Sequence, residues 1–284
     1  MSKQTKQSGS NFGGEWTKQK LLIIDDYLKF YVTAMSKQKV KLIYIDAFAG
    51  SGKTVIKSGE ELEGSPLIAL KYDFDEYYFL EIDKKRIEEL NKSVKTLYPE
   101  KESKVHIING DSNIELLKIL SGLTQYQRGI MFLDPYALEL GWSILEKARD
   151  TGILDIWYLF PLNAIVRNLP RRQLNAIPDN PLLDRILGSS NWKHELYSEN
   201  AQMSIFDEPD YVRADFDKLV EYIRQQLKSC FPYVAPNSRI MRNEKSSPLF
   251  ILFFIMTNSS PKAIGLGSKV VKEILEKVEK FNAS

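Results

Sequence analysis

Five short apolar runs alternate with amphipathic segments between residues 41 and 160, and this alternation is the strongest constraint on the fold. The runs have the length and the β-branched and aromatic content of strands, whereas the segments between them place apolar residues at helical spacing. The predicted strands are KLIYID, YYFLEID, VHIING, GIMFLDP and LDIWYLF. Strands that alternate with helices pair in parallel and are covered on both faces. The sequence therefore predicts an α/β protein with a doubly wound, Rossmann-like sheet.

The rest of the chain extends this sheet and adds an insertion. Two strand-like runs near the carboxyl terminus, YVAPNSRIMRN and PLFILFFIMTN, are close enough to form an antiparallel pair, which predicts a seven-stranded sheet. After the fifth strand, prolines interrupt short amphipathic pieces, so residues 163–210 are predicted to be a helical insertion. Residues 1–15 are predicted to be a flexible tail, and residues 16–162 and 211–284 form the two parts of the core.

Composition limits the compartment and the binding partners. The 284 residues are 43% hydrophobic, enough for a sizeable core, and the net charge of +2 does not by itself select nucleic acid as a partner. The single cysteine, Cys230, excludes an internal disulfide and a cysteine-cluster metal site. The amino terminus is polar, and the longest apolar run, Leu249 to Met256, is too short to span a bilayer. We therefore expect a cytoplasmic protein that binds neither a metal nor a membrane.

The stretch YIDAFAGSGKT, residues 44–54, permits two interpretations. From Ala47 it matches the relaxed phosphate-binding loop of nucleotide triphosphatases, which ends in Gly52, Lys53 and Thr54. Such a loop needs a helix directly behind the lysine, whereas the following VIKSGEELEGSP indicates a loop and makes Lys53 a solvated loop residue. The strand end at Asp134 matches the Mg²⁺-binding acid of these enzymes, so a triphosphatase remains an alternative.

The second interpretation depends on acids and glycines at the ends of four successive strands. The carboxyl ends of parallel strands meet at one edge of a sheet, where doubly wound folds bind ligands. These strand ends are Asp46 with Gly50 and Gly52, then Glu81, then Asp111, then Asp134 with Pro135 and Tyr136. A carboxylate such as Glu81 suits the two hydroxyls of a ribose, and Asp111 suits an exocyclic adenine amine. Each residue alone is also explained as a turn glycine or a helix cap, but their joint order favours a nucleoside pocket.

The same stretches carry a resemblance to a known family. YIDAFAGSGKT, GSPLIAL, FLEID, FLDPYAL, LDIWYLFPLNA and PLFILFFIMTN, with the lead-in WTKQKLLIIDDYL, resemble the three-Cys-motif partner protein family, called TcmP. The resemblance covers nearly the whole chain from Trp16 onward. It implies a bacterial protein with a class I, S-adenosylmethionine-dependent methyltransferase-like fold and a companion protein that bears a three-cysteine motif. With one cysteine, this chain cannot itself be that companion.

The strand-end residues, together with the resemblance, lead to a hypothesis for the activity and for the residues that carry it. The expected activity is methyl transfer from S-adenosylmethionine to an amino group, most simply of a nucleic acid base. The expected cofactor-binding residues are Asp46, Phe48, Gly50, Gly52, Glu81, Asp111 and Ser112, and the expected catalytic residues are Asp134, Pro135 and Tyr136. Amino-group methyltransferases often carry two prolines after the acid, whereas this chain carries one. A non-catalytic, methyltransferase-like partner subunit therefore remains an alternative.

The predicted insertion contains a group of basic and aromatic residues. Arg167, Arg171 and Arg172, with Trp192 and Lys193 further along, have the chemistry of a clamp for nucleic acid. The same residues are equally explained as a solvated helix face. Both possibilities remain open from the sequence.

Overall fold

The computed structural model describes residues 14–174, 176–199 and 210–283. Its helices are α1 (Glu15–Met35), α2 (Ser65–Leu70), α3 (Lys84–Leu97), α4 (Ser112–Gly122), α5 (Trp142–Thr151), α6 (Leu162–Asn168), α7 (Pro181–Leu187), α8 (Trp192–Glu195), α9 (Phe216–Cys230) and α10 (Pro261–Ala283), with a 3₁₀ helix at Pro99–Lys104. Its strands are β1 (Lys41–Asp46), β2 (Lys53–Val55), β3 (Glu61–Glu63), β4 (Glu76–Glu81), β5 (Val105–Asn109), β6 (Gln127–Leu133), β7 (Leu154–Phe160), β8 (Arg172–Leu174), β9 (Tyr197–Glu199), β10 (Asp210–Arg213), β11 (Tyr233–Val234), β12 (Arg239–Arg242) and β13 (Pro248–Met256). The predicted tail, residues 1–15, lies almost wholly outside the described residues, and α1 begins at Glu15.

One mixed sheet forms the centre of the fold, in the order β11-β13-β7-β6-β1-β4-β5. The strands from β7 to β5 in this order run parallel, and β13 runs antiparallel to β7. The predicted Rossmann-like sheet is therefore confirmed. The sheet has eight strands instead of seven, because YVAPNSRIMRN divides into β11 and β12, which both pair with β13. Pro236 lies between the two short strands and has no N–H to continue the ladder.

Helices cover both faces of this sheet, and the central strand β7 is buried on each side. Ile156 and Tyr158 pack in the core that includes residues of α4, α5 and α9. Trp157 and Leu159 pack in the opposite core, with residues of α1, α2, α3 and α10. Successive side chains of a strand point to opposite faces, so a strand covered by helices on both sides is apolar throughout.

Helix α1 lies across the second of these cores and is tied to the sheet through Tyr27. The Tyr27 hydroxyl donates a hydrogen bond of 2.7 Å to Oδ2 of Asp155 in β7. Its ring also lies 5.4 Å from the Trp157 ring and 5.0 Å from the Phe254 ring, centroid to centroid. These contacts fix the middle of α1 on the sheet, and its first turns reach the edge where β1 and β6 end.

The segment after β7 is only partly helical. It contains the short helices α6, α7 and α8, as predicted, but also the strands β8, β9 and β10, which form a separate antiparallel sheet in the order β8-β10-β9. None of the three helices exceeds seven residues: α6 lies between Pro161 and Pro170, and α7 ends at Gly188, which has a left-handed conformation. Strands of three or four residues carry too little alternation to be recognised in a sequence. The segment therefore contains a small antiparallel sheet, which was not predicted, beside the short helices.

Candidate active site

A cavity of about 1010 Å³ lies at the sheet edge where β1, β4, β5 and β6 end. Its wall includes most of the residues predicted from the strand ends: Phe48, Gly50, Glu81, Asp111, Ser112, Asp134, Pro135 and Tyr136. Parallel strands bring residues from distant parts of the sequence to one edge, which explains how residues 48 to 136 share one cavity. Asp46 and Gly52 do not belong to this wall.

The turn after β1 depends on two glycines with positive φ. Gly50 has φ +63° and Gly52 has φ +79°, a left-handed conformation that other residues adopt only with strain. A Cβ on Gly52 would lie 2.8 Å from Leu90 Cδ1, so this glycine packs down onto the core. A Cβ on Gly50 would meet no atom within 4 Å. Gly50 therefore presents bare backbone to the cavity, and Gly52 allows the turn to sit close to α3.

The same turn does not continue into a helix. Lys53 begins β2, which pairs with β3 in a hairpin, and its Nζ lies 2.6 Å from Glu61 Oε1. A phosphate-binding loop places its lysine at the start of a helix, whose amides hold the phosphates. The structure therefore gives no support to the triphosphatase alternative, and the match of residues 47–54 to that motif is fortuitous.

Asp46, at the end of β1, is completely buried beneath the cavity wall. Its carboxylate accepts hydrogen bonds from the Phe48 amide (3.3 Å) and from the hydroxyls of Tyr44 (3.4 Å) and Ser65. Burial raises the pKa of Asp46 to about 7, although the Ser65 and Phe48 hydrogen bonds oppose the shift. Asp46 thus supports the glycine turn from below, and its position differs from the direct cofactor contact that was expected.

Glu81, at the end of β4, is 8% exposed and held in one orientation. Its Oε1 accepts hydrogen bonds from the amides of Ile82 (2.8 Å) and Asp83 (2.9 Å). Its Oε2 lies 3.9 Å from Arg86 Nη1, which leaves this oxygen able to accept hydrogen bonds from a ligand. Both backbone amides therefore act as a fixed support for a carboxylate on the cavity wall.

Ile82 is a wall residue that sequence reasoning missed. It is 71% exposed, although it is a large apolar side chain, and it follows Glu81 directly. An exposed apolar group beside a fixed carboxylate offers contact to a flat ring next to hydrogen bonds for its sugar. The available signal was an isoleucine placed between two acids, outside the apolar face of either the strand or the following helix.

Asp111 and Ser112 follow β5 and begin α4. Asp111 is the N-cap: its Oδ1 accepts hydrogen bonds from the Asn113 amide (2.8 Å) and Asn113 Nδ2 (2.9 Å). Its side chain is nevertheless exposed on the cavity wall. The Ser112 hydroxyl donates to the carbonyl oxygen of Ala47 and is buried. The cap explanation therefore holds for Asp111, whose carboxylate also lies on the cavity wall, whereas the Ser112 hydroxyl is used within the fold.

Asp134, Pro135 and Tyr136 follow β6 at the far side of the glycine turn. The Asp134 carboxylate forms an ion pair with Lys20, which lies on α1 114 residues earlier in the sequence. The Tyr136 ring is 66% exposed on the wall, and its amide donates a 3.1 Å hydrogen bond to Glu139 Oε2. This side of the cavity thus combines a carboxylate with an accessible aromatic ring.

The loop that carries these residues is fixed by two neighbouring elements. Arg185 of α7 donates hydrogen bonds to the carbonyl oxygens of Glu139 (3.0 Å) and Leu138 (2.8 Å). Asn113 of α4 donates to the Glu139 carbonyl (2.9 Å) and accepts from the Gly141 amide (2.7 Å). The insertion therefore reaches the cavity through Arg185, a contact that no sequence pattern indicated.

Comparisons with known proteins show the fold. No protein-family model matches the chain, and neither does any curated protein sequence. Among solved structures, protein LPL1258 from Legionella pneumophila str. Philadelphia 1 matches with a TM-score of 0.53 over 92% of each chain, at 11% identity. The chain has a class I methyltransferase-like fold. The order of the sheet and the antiparallel β13 define this fold, so the fold that the resemblance to TcmP implied is confirmed, while membership of that family stays a prediction.

Weaker matches include a methyltransferase domain and a synthase. The methyltransferase domain of bacterial CtHen1 matches with a TM-score of 0.38 and 10% identity, over 82% of this chain and 98% of that one. Spermidine synthase from Thermotoga maritima matches with a TM-score of 0.40 and 11% identity, over 87% of this chain and 61% of that one. At these TM-scores the matches carry no argument about activity.

Two members of the basic and aromatic group in the insertion, Trp192 and Lys193, are engaged within the insertion itself. Trp192 is 2% exposed, and its indole Nε1 donates a 2.7 Å hydrogen bond to Asp184 Oδ1. Lys193 pairs with Asp179, and Arg172 pairs with the buried Asp210 at 2.7 Å. The prediction was wrong for Trp192 because an aromatic beside a lysine can belong to a core as easily as to a surface. Arg167, Arg171 and Arg172 are exposed, and the nucleic-acid contact predicted for them stays a prediction.

Among the described residues, no helix is both long enough and apolar enough to cross a bilayer.

Proposed function

We propose that this chain is an S-adenosylmethionine-dependent methyltransferase that acts on an amino group. One observation carries the proposal: a single cavity joins the fixed Glu81 carboxylate and exposed Ile82 on one side to Asp134 and Tyr136 on the other. The first pair suits a nucleoside, and the second pair suits a planar amine. A methyltransferase-like fold places a cofactor and an acceptor at this edge of the sheet.

The residues present fit the cofactor. Glu81 Oε2 would accept hydrogen bonds from the ribose hydroxyls, since Oε1 is already used by the backbone. Ile82 would contact the adenine ring, and the Asp111 carboxylate would accept from its amine. The bare backbone at Gly50 allows the methionine part to approach closely. A volume of about 1010 Å³ is at the upper end for ligand sites and leaves room for an acceptor.

The chemistry requires little covalent help from the protein. S-adenosylmethionine supplies an electrophilic methyl group: an N–C bond forms, the C–S bond breaks, and S-adenosylhomocysteine and a proton are released. Asp134 would accept a hydrogen bond from the amine and so orient its lone pair. The Pro135 carbonyl would accept a second hydrogen bond, and the Tyr136 ring would stack on a planar acceptor.

A nucleic acid base is the acceptor that these groups suit best. The Tyr136 ring is 66% exposed, as required for stacking on a base that has left its helix. The exposed Arg167 and Arg171 would contact the backbone phosphates on the insertion side. The alternative is a non-catalytic partner subunit. It is supported by the single proline after Asp134, where amino-group methyltransferases often have two.

We propose Asp134→Asn as the test of activity. Transfer of labelled methyl groups from S-adenosylmethionine to single-stranded DNA and RNA oligonucleotides should fall about 100-fold or more, because the amine loses its charged acceptor. Affinity for S-adenosylhomocysteine should stay within about threefold of the wild type. The control is Asp150→Asn, an exposed residue paired with Arg149. Equal transfer by both variants would remove Asp134 from the acceptor site, and binding without transfer in the wild type would favour the non-catalytic subunit.

We also propose a companion protein with a three-cysteine motif, on the resemblance to TcmP. A tagged form of this chain, co-expressed with such a protein, should retain it through purification in high salt. Loss of the companion at the first wash, with both proteins folded, would contradict the proposal.

A further inference from the structure

We propose that Lys20 of α1 is a positioning residue of the acceptor site: it holds Asp134 by Oδ2 and leaves Oδ1 to the acceptor amine. This inference rests on the proposed function. It makes the first helix, which precedes the whole sheet in the sequence, part of the active site.

The contact between Lys20 and Asp134 is shielded from solvent but open to the cavity. The Lys20 side chain is 9% exposed and that of Asp134 is 22% exposed, and both residues belong to the cavity wall. Lys20 Nζ donates to Asp134 Oδ2. Within the described part of the chain, this is the one hydrogen bond to the Asp134 carboxylate. Oδ1 therefore has no donor among the described residues, on a side chain that lines the cavity.

The position of Lys20 is fixed by aromatic rings. Its Nζ lies 5.3 Å from the centroid of the Trp16 ring and 6.0 Å from that of Phe132. Trp16 in turn packs against Phe250 of β13, with centroids 5.1 Å apart. Two turns of helix further along, the Tyr27 hydroxyl donates a hydrogen bond to Asp155 in β7. A lysine confined in this way cannot easily turn to solvent, so it constrains the carboxylate that it contacts.

Stability alone does not explain this ion pair. Removing two charges from water costs about as much as their attraction returns, and apolar residues of similar size often replace such pairs without loss. The pair also matters for a cationic cofactor. An unpaired Asp134 would attract the sulfonium of S-adenosylmethionine, whereas the neutral S-adenosylhomocysteine would be little affected. Lys20 therefore offsets the attraction between Asp134 and the sulfonium, so that the carboxylate is left to orient the acceptor.

The first experiment measures binding and needs no acceptor. Affinities for S-adenosylmethionine and S-adenosylhomocysteine are compared by calorimetry in the wild type, Lys20→Met, and the control Lys29→Met, an exposed lysine on the same helix. In Lys20→Met the ratio should shift about fivefold in favour of S-adenosylmethionine. The shift should disappear in the double variant Lys20→Met/Asp134→Asn, because no unpaired carboxylate remains.

The second experiment measures methyl transfer to the same oligonucleotides. Lys20→Met should lower kcat about 30-fold with little change in KM for the oligonucleotide, and Lys20→Arg should restore part of kcat because arginine still pairs with Asp134. The thermal midpoints of both variants identify any loss of fold.

The outcomes separate this inference from the proposed function. Equal changes in both affinities would show that Lys20 acts on the fold only. Unchanged transfer by Lys20→Met would show that Lys20 does not assist the reaction, and faster transfer would show that it blocks the site. Each of these results overturns the inference while the methyltransferase proposal stands. A wild type that binds neither ligand would overturn the proposed function, and this inference with it.

Discussion

Glu81→Gln is expected to weaken the binding of S-adenosylhomocysteine about 10- to 100-fold and to leave the fold intact. The glutamine carbonyl oxygen can still accept the hydrogen bonds that Oε1 takes from Ile82 and Asp83. Its amide nitrogen, in the place of Oε2, can donate but cannot accept from ribose hydroxyls. The loss is that of a charged hydrogen-bond acceptor, about 1.5–3 kcal/mol.

This variant has a close control in Glu88→Gln. Glu88 is exposed on α3, seven residues further along, and does not belong to the cavity wall. Calorimetric titration of both variants gives the comparison. If Glu81→Gln binds as tightly as Glu88→Gln, then Glu81 does not hold the ribose, and the assignment of the β4 strand end is wrong.

Asp155→Asn is expected to stabilise the protein at pH 8 by up to about 4 kcal/mol. Burial raises the pKa of Asp155 to about 7, opposed by the hydrogen bond from Tyr27. In the unfolded chain the group ionises near pH 4. Between these values the unfolded state releases a proton that the folded state keeps, so stability falls as pH rises from about 4 to about 7. Asparagine keeps an acceptor for Tyr27 and cannot ionise, which removes this loss.

The pH dependence of stability that Asp155 causes is measured by urea unfolding at pH 5 and pH 8. Ionisation of Asp155 should make the wild type less stable at pH 8 than at pH 5. Asp155→Asn should therefore raise the free energy of unfolding more at pH 8 than at pH 5. Asp46 has its pKa raised to about 7 by the same cause, so the single variant removes only part of the dependence. Asp150→Asn, at the surface, should change neither value. A lower stability of Asp155→Asn at pH 8 would mean that the buried carboxylate is ionised and stabilising.

Much of the fold and part of the site followed from the sequence, for a physical reason. Alternating strands and helices fix a parallel sheet, and a parallel sheet places its strand ends at one edge. Glu81 and Asp134 were found in this way, because each is the first polar residue after an apolar run. The division of the last hairpin into β11 and β12 was not found, since it depends on one proline and on strands of two and four residues.

Contacts between distant elements were not predictable. Lys20 lies in an apolar helix pattern as one polar residue among many, and only packing of α1 on the sheet brings it to Asp134. Arg185 reaches the loop after β6 from an insertion whose own fold had no clear pattern. For Trp192, the basic residues near it in the sequence suggested a surface position, whereas its side chain is buried in the core. Sequence periodicity reports local structure, and these residues depend on tertiary contacts.

The most direct measurement is a calorimetric titration of the whole chain with S-adenosylhomocysteine, with ATP and Mg²⁺ in a parallel experiment. We predict one binding site of micromolar affinity for S-adenosylhomocysteine and no binding of ATP, because Glu81 and Ile82 suit the nucleoside and Lys53 begins a strand. Binding of ATP with Mg²⁺, without binding of S-adenosylhomocysteine, would contradict the assignment of this cavity to a methyltransferase.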